Sequence, residues 1–78
     1  MKNVKILGTG CANCRNTAAL VADVAQALGV AIKMDKVEAM QDIVAYGVMA
    51  TPAVVIDGVV VHAGGVPARD KVTQWFAA

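Results

Sequence analysis

Residues 53–61 leave this chain little freedom over one part of its fold. Ala53-Val54-Val55-Ile56 and Val59-Val60-Val61 are two apolar, largely β-branched runs separated only by Asp57-Gly58. An Asp-Gly pair suits a two-residue turn in which both central positions take positive φ, so the segment reads as an antiparallel hairpin. An isolated hairpin is marginal in water, and the remaining residues must supply further strands and covering helices. The chain has 78 residues, a size at which folding buries about 60–65% of the unfolded surface. Residues 1–78 are therefore expected to form a single domain with a compact core. The apolar share is 58%, with fourteen valines and fifteen alanines but only three aromatic residues, Tyr46, Trp75 and Phe76. Such small and branched groups suit helices lying close against a sheet.

The other elements follow from periodicity. Val4 to Leu7 reads as a short strand, ended by Gly8-Thr9-Gly10. From Ala12 the pattern turns helical, with Ala18, Val21, Val24, Ala25 and Leu28 on one face. Gly29 is placed to end that helix in a left-handed conformation. Val30 to Met34 reads as a second strand, Val30 and Ile32 on one face and Lys33 on the other. Glu38 to Tyr46 reads as a second helix with Met40, Ile43 and Val44 facing inward, closed by Gly47. Gly64-Gly65 end the second arm of the hairpin, Pro67 is expected at the first position of a last helix, and Val72, Trp75 and Phe76 form its apolar stripe. The order is β-α-β-α-β-β-α. A strand–helix–strand opening favours a parallel pair with a right-handed crossover, and the hairpin adds an antiparallel pair. The expected class is α/β, a four-stranded mixed sheet flanked by helices.

Charge removes some functions. Seven basic and six acidic residues give a net charge of +1, and no cluster of Lys and Arg is present to track a phosphate backbone. A nucleic-acid partner is not expected. No apolar run approaches the roughly 18 residues of a membrane span, and Met1-Lys2-Asn3 leads into a short mixed stretch rather than a secretory leader. The expected location is the cytoplasm, without a membrane partner. Two cysteines separated by two residues do not make a secreted disulfide framework. In a reducing compartment such a pair is catalytic or metal-binding.

Cys11-Ala12-Asn13-Cys14 stands where the first strand hands over to the first helix. A helix N-terminus offers unsatisfied N–H groups and a partial positive charge, and a Cys11 thiolate there would have a lowered pKa. Cys14, one turn inside, is placed to attack a mixed disulfide formed on Cys11. Cys11 is the expected nucleophile and Cys14 the resolving thiol. Arg15 is a second source of positive charge, and Gly8 and Gly10 read as residues that let the loop turn. Closed zinc sites take four ligands, whereas this chain offers one histidine, His62, and no second C-x-x-C. No metal site is expected.

Over essentially its whole length the chain resembles the thioredoxin superfamily, most nearly its very small thioredoxin- or glutaredoxin-like redox-active disulfide proteins. The resemblance rests on Gly8-Thr9-Gly10-Cys11-Ala12-Asn13-Cys14 after the first strand, Thr51-Pro52 before the third, and the Asp57-Gly58 hairpin with its closing helix. It implies a minimal thioredoxin fold, a redox-active Cys11–Cys14 disulfide with no further cofactor, and a cis Thr51–Pro52 bond beside it. It also implies that Thr51 and Pro52, with Gly10, Ala12 and Asn13, contact an extended substrate segment by a form of strand addition. The implied partners are a disulfide-containing protein and a disulfide reductase that recycles the dithiol. Three departures stand out. Ala12-Asn13 replaces the Gly-Pro of thioredoxins proper, Gly10 replaces a Trp, and Lys5 occupies the place of a buried acid that serves the resolving thiol.

Two other functions compete. A soft-metal carrier would hold Cu(I) between the same two thiolates. Heavy-metal-associated domains, however, run β-α-β-β-α-β and have Met two residues before the first cysteine, where this chain has Thr9. A binding module that uses the disulfide as a switch is the third reading. Among the remaining residues, His62 reads as an exposed strand end. Tyr46 reads as cover for a sheet edge, Met34 and Met40 as core fillers, Met49 as a candidate to line the site, and Trp75 and Phe76 as helix-docking residues.

Overall fold

A computed structural model describes residues 1–77. The elements are β1 (Lys2–Leu7), α1 (Ala12–Ala27), β2 (Ile32–Val37), α2 (Met40–Ala45), β3 (Ala53–Ile56), β4 (Val59–Ala63) and α3 (Arg69–Phe76). The four strands form one sheet in the order β2-β1-β3-β4. β1 and β2 are parallel, in register from Lys2 opposite Ile32 to Leu7 opposite Val37. β1–β3 and β3–β4 are antiparallel. This is the mixed α/β architecture expected from the element order.

Alternation along the strands divides the core between the two faces of the sheet. Val4, Ile6, Val54 and Ile56 pack with Val21, Val24 and Ala25 of α1 and Val72 and Phe76 of α3. On the other face Leu7, Ala53 and Val55 meet Ile43 of α2 and Val48. Both predicted punctuation points have the backbone their residues suit. Asp57 and Gly58 take φ of 49° and 84° in the hairpin turn, and Asp57 also accepts the Asn3 N–H at 2.9 Å, tying the turn to β1. At the end of α1, Gly29 has φ 68°. The Val30 N–H donates to Ala25 O at 2.9 Å and the Gly29 N–H to Gln26 O at 3.1 Å, which satisfies two carbonyls at the helix end.

Several boundaries differ from the sequence expectation. The second strand runs 32–37 rather than 30–34. Val30 is consumed in closing α1, and pairing with all six residues of β1 carries the strand on through the exposed Asp35 and Lys36. α2 is shorter than 38–46, and only Ile43 of the expected inward trio is buried. Met40 and Val44 are 61% and 62% exposed, because so short a helix touches the sheet along a single line. Pro67 is buried two residues ahead of α3, whose N-cap is Ala68. His62 is half-buried, not exposed: its Nε2 meets Gly65 O at 2.9 Å, its Nδ1 meets Lys71 Nζ at 2.8 Å, and its ring lies 6.2 Å from that of Trp75.

Ile43 is thus the one buried residue of α2. Ile43→Ala is expected to cost about 2–5 kcal/mol and to raise amide hydrogen exchange selectively in residues 40–48. Exchange that rises uniformly over the sheet would show that α2 is not held by this one side chain.

Candidate functional site: a dithiol at the first helix

Cys11 is the N-cap of α1. Its backbone is extended (φ −67°, ψ 167°), and its sulfur accepts the Cys14 N–H at 3.3 Å, the place an Asp or Ser oxygen takes in most helices. The sulfur therefore sits at the positive end of a sixteen-residue helix, exposed to solvent. Cys14 lies one turn further in and is buried. Both are free thiols in this structure. The two side chains are chemically identical and their surroundings drive them apart. Cys11 is pushed below the ordinary thiol range, chiefly by the hydrogen bond from the Cys14 thiol and then by the Cys14 backbone N–H. Cys14 is pushed up, first by burial and then by its hydrogen bond to Cys11.

The glycines before the dithiol do different jobs. Gly10 has φ +88°, a turn position as expected, and its carbonyl accepts Arg15 Nη1 at 2.7 Å. Arg15 thus reaches back across the first turn and fixes the loop. Gly8 provides clearance rather than a turn: a Cβ there would overlap the Cys14 sulfur and would stand 3.8 Å from Thr51 Cβ. The Gly8 N–H donates to Val37 O at 3.0 Å, which prolongs the β1–β2 ladder to the edge of the site.

Thr51 and Pro52 come from the loop before β3, and Thr51 borders the space beside Gly8 that the Cys14 sulfur fills. Thr51 is exposed and Pro52 buried. Their peptide bond is cis, and Pro52 O accepts the Gly64 N–H at 2.9 Å, bracing the loop against the end of β4. Ala12 and Asn13, in the first turn of α1, are exposed beside Cys11. Met49, the other candidate from this loop, is fully exposed and packs on nothing.

Two neighbours were not found by sequence reasoning. Lys36 and Glu38 line a cleft with Cys14, Gly8, Gly10, Arg15 and Ile6. Only the parallel register brings them there, and no local motif signals it. Lys5 looks the other way. Its Nζ donates to the Tyr46 hydroxyl at 3.1 Å and lies 5.8 Å from that ring's centre. The hydrogen bond to Tyr46 holds its ammonium above the ordinary lysine range. Tyr46 therefore covers the α2 face, apart from the dithiol. Among the described residues no three His, Cys, Asp or Glu side chains converge to hold a metal ion.

An exposed thiol capping a helix, a second thiol buried one turn further in and a cis-proline loop before β3, on a four-stranded mixed sheet, define a thioredoxin-like dithiol protein. The family description "Thioredoxin domain" matches residues 2–77, and the chain belongs to that family. It is similar to a protein named thioredoxin from Methanothermobacter thermautotrophicus, 29% identical over 74 residues covering 95% of this chain and 96% of that protein. A thioredoxin from Methanocaldococcus jannaschii is 31% identical over 71 residues, covering 91% of this chain and 81% of its own length. The observed order of elements is also not that of the heavy-metal-associated domains weighed above.

Two outcomes test this geometry. Gly8→Ala is expected to destabilise the chain by about 1–3 kcal/mol in denaturant unfolding, since the added methyl must displace Cys14 or the strand end. Unchanged stability would mean that the contact is slack. Alkylation of Cys11 followed against pH is expected to show an inflection below that of a free thiol, and Cys14→Ala to move it upward by removing the leading hydrogen bond. An inflection that stays put or falls in Cys14→Ala would contradict the stated cause.

Proposed function

We propose that this chain is a thiol–disulfide oxidoreductase that reduces or exchanges protein disulfides. Cys11 attacks one sulfur of a substrate disulfide, forming a mixed disulfide and releasing the first substrate thiolate. Cys14 then displaces the second, leaving a Cys11–Cys14 disulfide and a substrate reduced by two electrons. The observation that carries this reading is the asymmetry of the pair: an exposed sulfur capping α1, with its pKa lowered, and a buried one behind it. An attacking thiol must be accessible and ionise readily, whereas a resolving thiol attacks within the molecule and can form its thiolate while buried.

Thr51 and Pro52, with Gly10, Ala12 and Asn13, contact the substrate segment in this reading, which their position around the dithiol supports. The Cys11–Cys14 disulfide serves as the redox centre without a further cofactor. A disulfide reductase restores the dithiol. The reading places the chain in the cytoplasm, where such a pair is catalytic rather than structural. No helix among the described residues is long and apolar enough to cross a membrane.

The test is a redox titration of the metal-free protein in dithiol buffers, with free thiols trapped by alkylation. A single reversible two-electron transition is expected, absent in Cys11→Ser. Cys14→Ser is expected to accumulate a mixed disulfide with an added substrate. A wild-type chain that forms no Cys11–Cys14 disulfide at any accessible potential would overturn the proposal.

A further inference from the structure

The oxidoreductase reading leaves one proton without a destination. Before Cys14 can displace the reduced substrate its thiol must ionise, because the thiolate is the nucleophile. Cys14 is only 5% exposed, and burial holds its thiol up. Lys5 is no acceptor for that proton, since its ammonium is already protonated and is engaged with Tyr46 on the α2 face.

On the α1 face a cleft of about 190 Å³ opens beside Cys14, lined by Ile6, Gly8 and Cys14 together with the charged side chains of Arg15, Lys36 and Glu38. At roughly 30 Å³ per molecule it has room for several waters. Glu38 supplies the only carboxylate of that lining. The backbone places it there: Val37 pairs with Leu7 and accepts the Gly8 N–H, so the next residue emerges beside the loop that carries the dithiol. Glu38 Oε2 lies 3.4 Å from where a Cβ on Gly10 would be, and a side chain at Gly10 would crowd the carboxylate.

Resting on the oxidoreductase reading, we infer that Glu38 is the proton acceptor for Cys14, working through water in this cleft. The Cys14 S–H proton passes along the water to the Glu38 carboxylate, giving a thiolate and a carboxylic acid. The thiolate attacks Cys11 Sγ, the bond from Cys11 to the substrate sulfur breaks, and its electron pair leaves with the substrate thiolate. Glu38 then returns its proton to that thiolate or to solvent. Arg15, held on the Gly10 carbonyl, and Lys36 face the same cleft. Both cations favour the anion that Cys14 becomes. Cys11, outside that lining, accepts the Cys14 N–H in the free dithiol and is bound to the substrate at this stage.

The two thiols can be timed separately. Reduced protein mixed rapidly with dithiobis(nitrobenzoate) is expected to release one thionitrobenzoate in a bimolecular phase, when Cys11 attacks. It releases a second in a concentration-independent phase, when Cys14 resolves the mixed disulfide. Glu38 is exposed, so its replacement should leave the fold intact. Glu38→Gln is expected to slow the second phase about 100-fold near neutral pH, the lower end of what a positioned base supplies, and to leave the first within about twofold. In the variant the second rate should climb in proportion to hydroxide between about pH 6 and 9, more steeply than in the wild type. Glu38→Asp should recover much of the rate. A second phase with the same rate and pH slope in Glu38→Gln as in the wild type overturns the role of Glu38. It does so even if Lys36→Met slows that phase, for the cations would then be the active groups. A wild type with no second phase removes the oxidoreductase reading itself, and this inference with it.

Discussion

Where β1 ends, the first turn of α1 comes so close that a side chain on the strand's last neighbour would collide with it: a methyl group on Gly8 would occupy the space of the Cys14 sulfur. Gly8 is not free to retreat, because its N–H is bonded to Val37 O in the continuation of the β1–β2 ladder. The position of Cys14 is therefore set by the sheet, and its burial follows from that. The exposure of Cys11 follows too, since a residue one turn earlier on the same helix must sit at the rim, capping the turn with its own sulfur. Two like side chains acquire opposite tendencies from a single close approach. The buried one is costly to ionise. The outer one receives a hydrogen bond from it and a backbone N–H from the helix end, both of which favour the anion.

Much of this was legible in the sequence wherever local chemistry dictates the backbone. Asp57-Gly58 and Gly29 adopt the positive φ their residue types suit. The three- and four-residue spacing of Ala18, Val21, Val24 and Ala25 marks the face of α1 that is buried, whereas Leu28, on the same spacing, is the C-cap and stays exposed. Legibility failed where a side chain's fate depends on what lies across from it. Met40, Ile43 and Val44 share a helical spacing, yet only Ile43 finds the sheet. Gly8 read as a turn former because the sequence does not display the sulfur it must clear. Lys36 and Glu38 come to the dithiol through parallel pairing of strands distant along the chain. His62 likewise read as an exposed strand end, since the packing that brings Lys71 of the last helix against it is not written in the local sequence.

The alternation of a β-strand also explains how a lysine can stand at position 5 without cost to the core. Ile6 points into the cluster under α1 and α3, so Lys5 must point to the face that α2 covers. With only six residues, α2 leaves open clefts on that face of about 380 and 340 Å³, both bordered by Lys5 and Tyr46. The ammonium group there keeps access to water and gains a phenol oxygen, and so avoids the several kcal/mol, on the order of the desolvation of a buried ion, that full burial would impose. Strand geometry thus separates two kinds of charge. The cation at position 5 is spent on the α2 face. The groups that can act on the buried thiol arrive on the other face, from the end of β2 and the first turn of α1, where the cleft beside Cys14 opens. The division is imposed by the period of the strand. Moving that charge along β1 by one residue, to position 4 or 6, would carry it across the sheet into the core beneath α1, and the charged groups that border Cys14 come instead from the end of β2 and the first turn of α1.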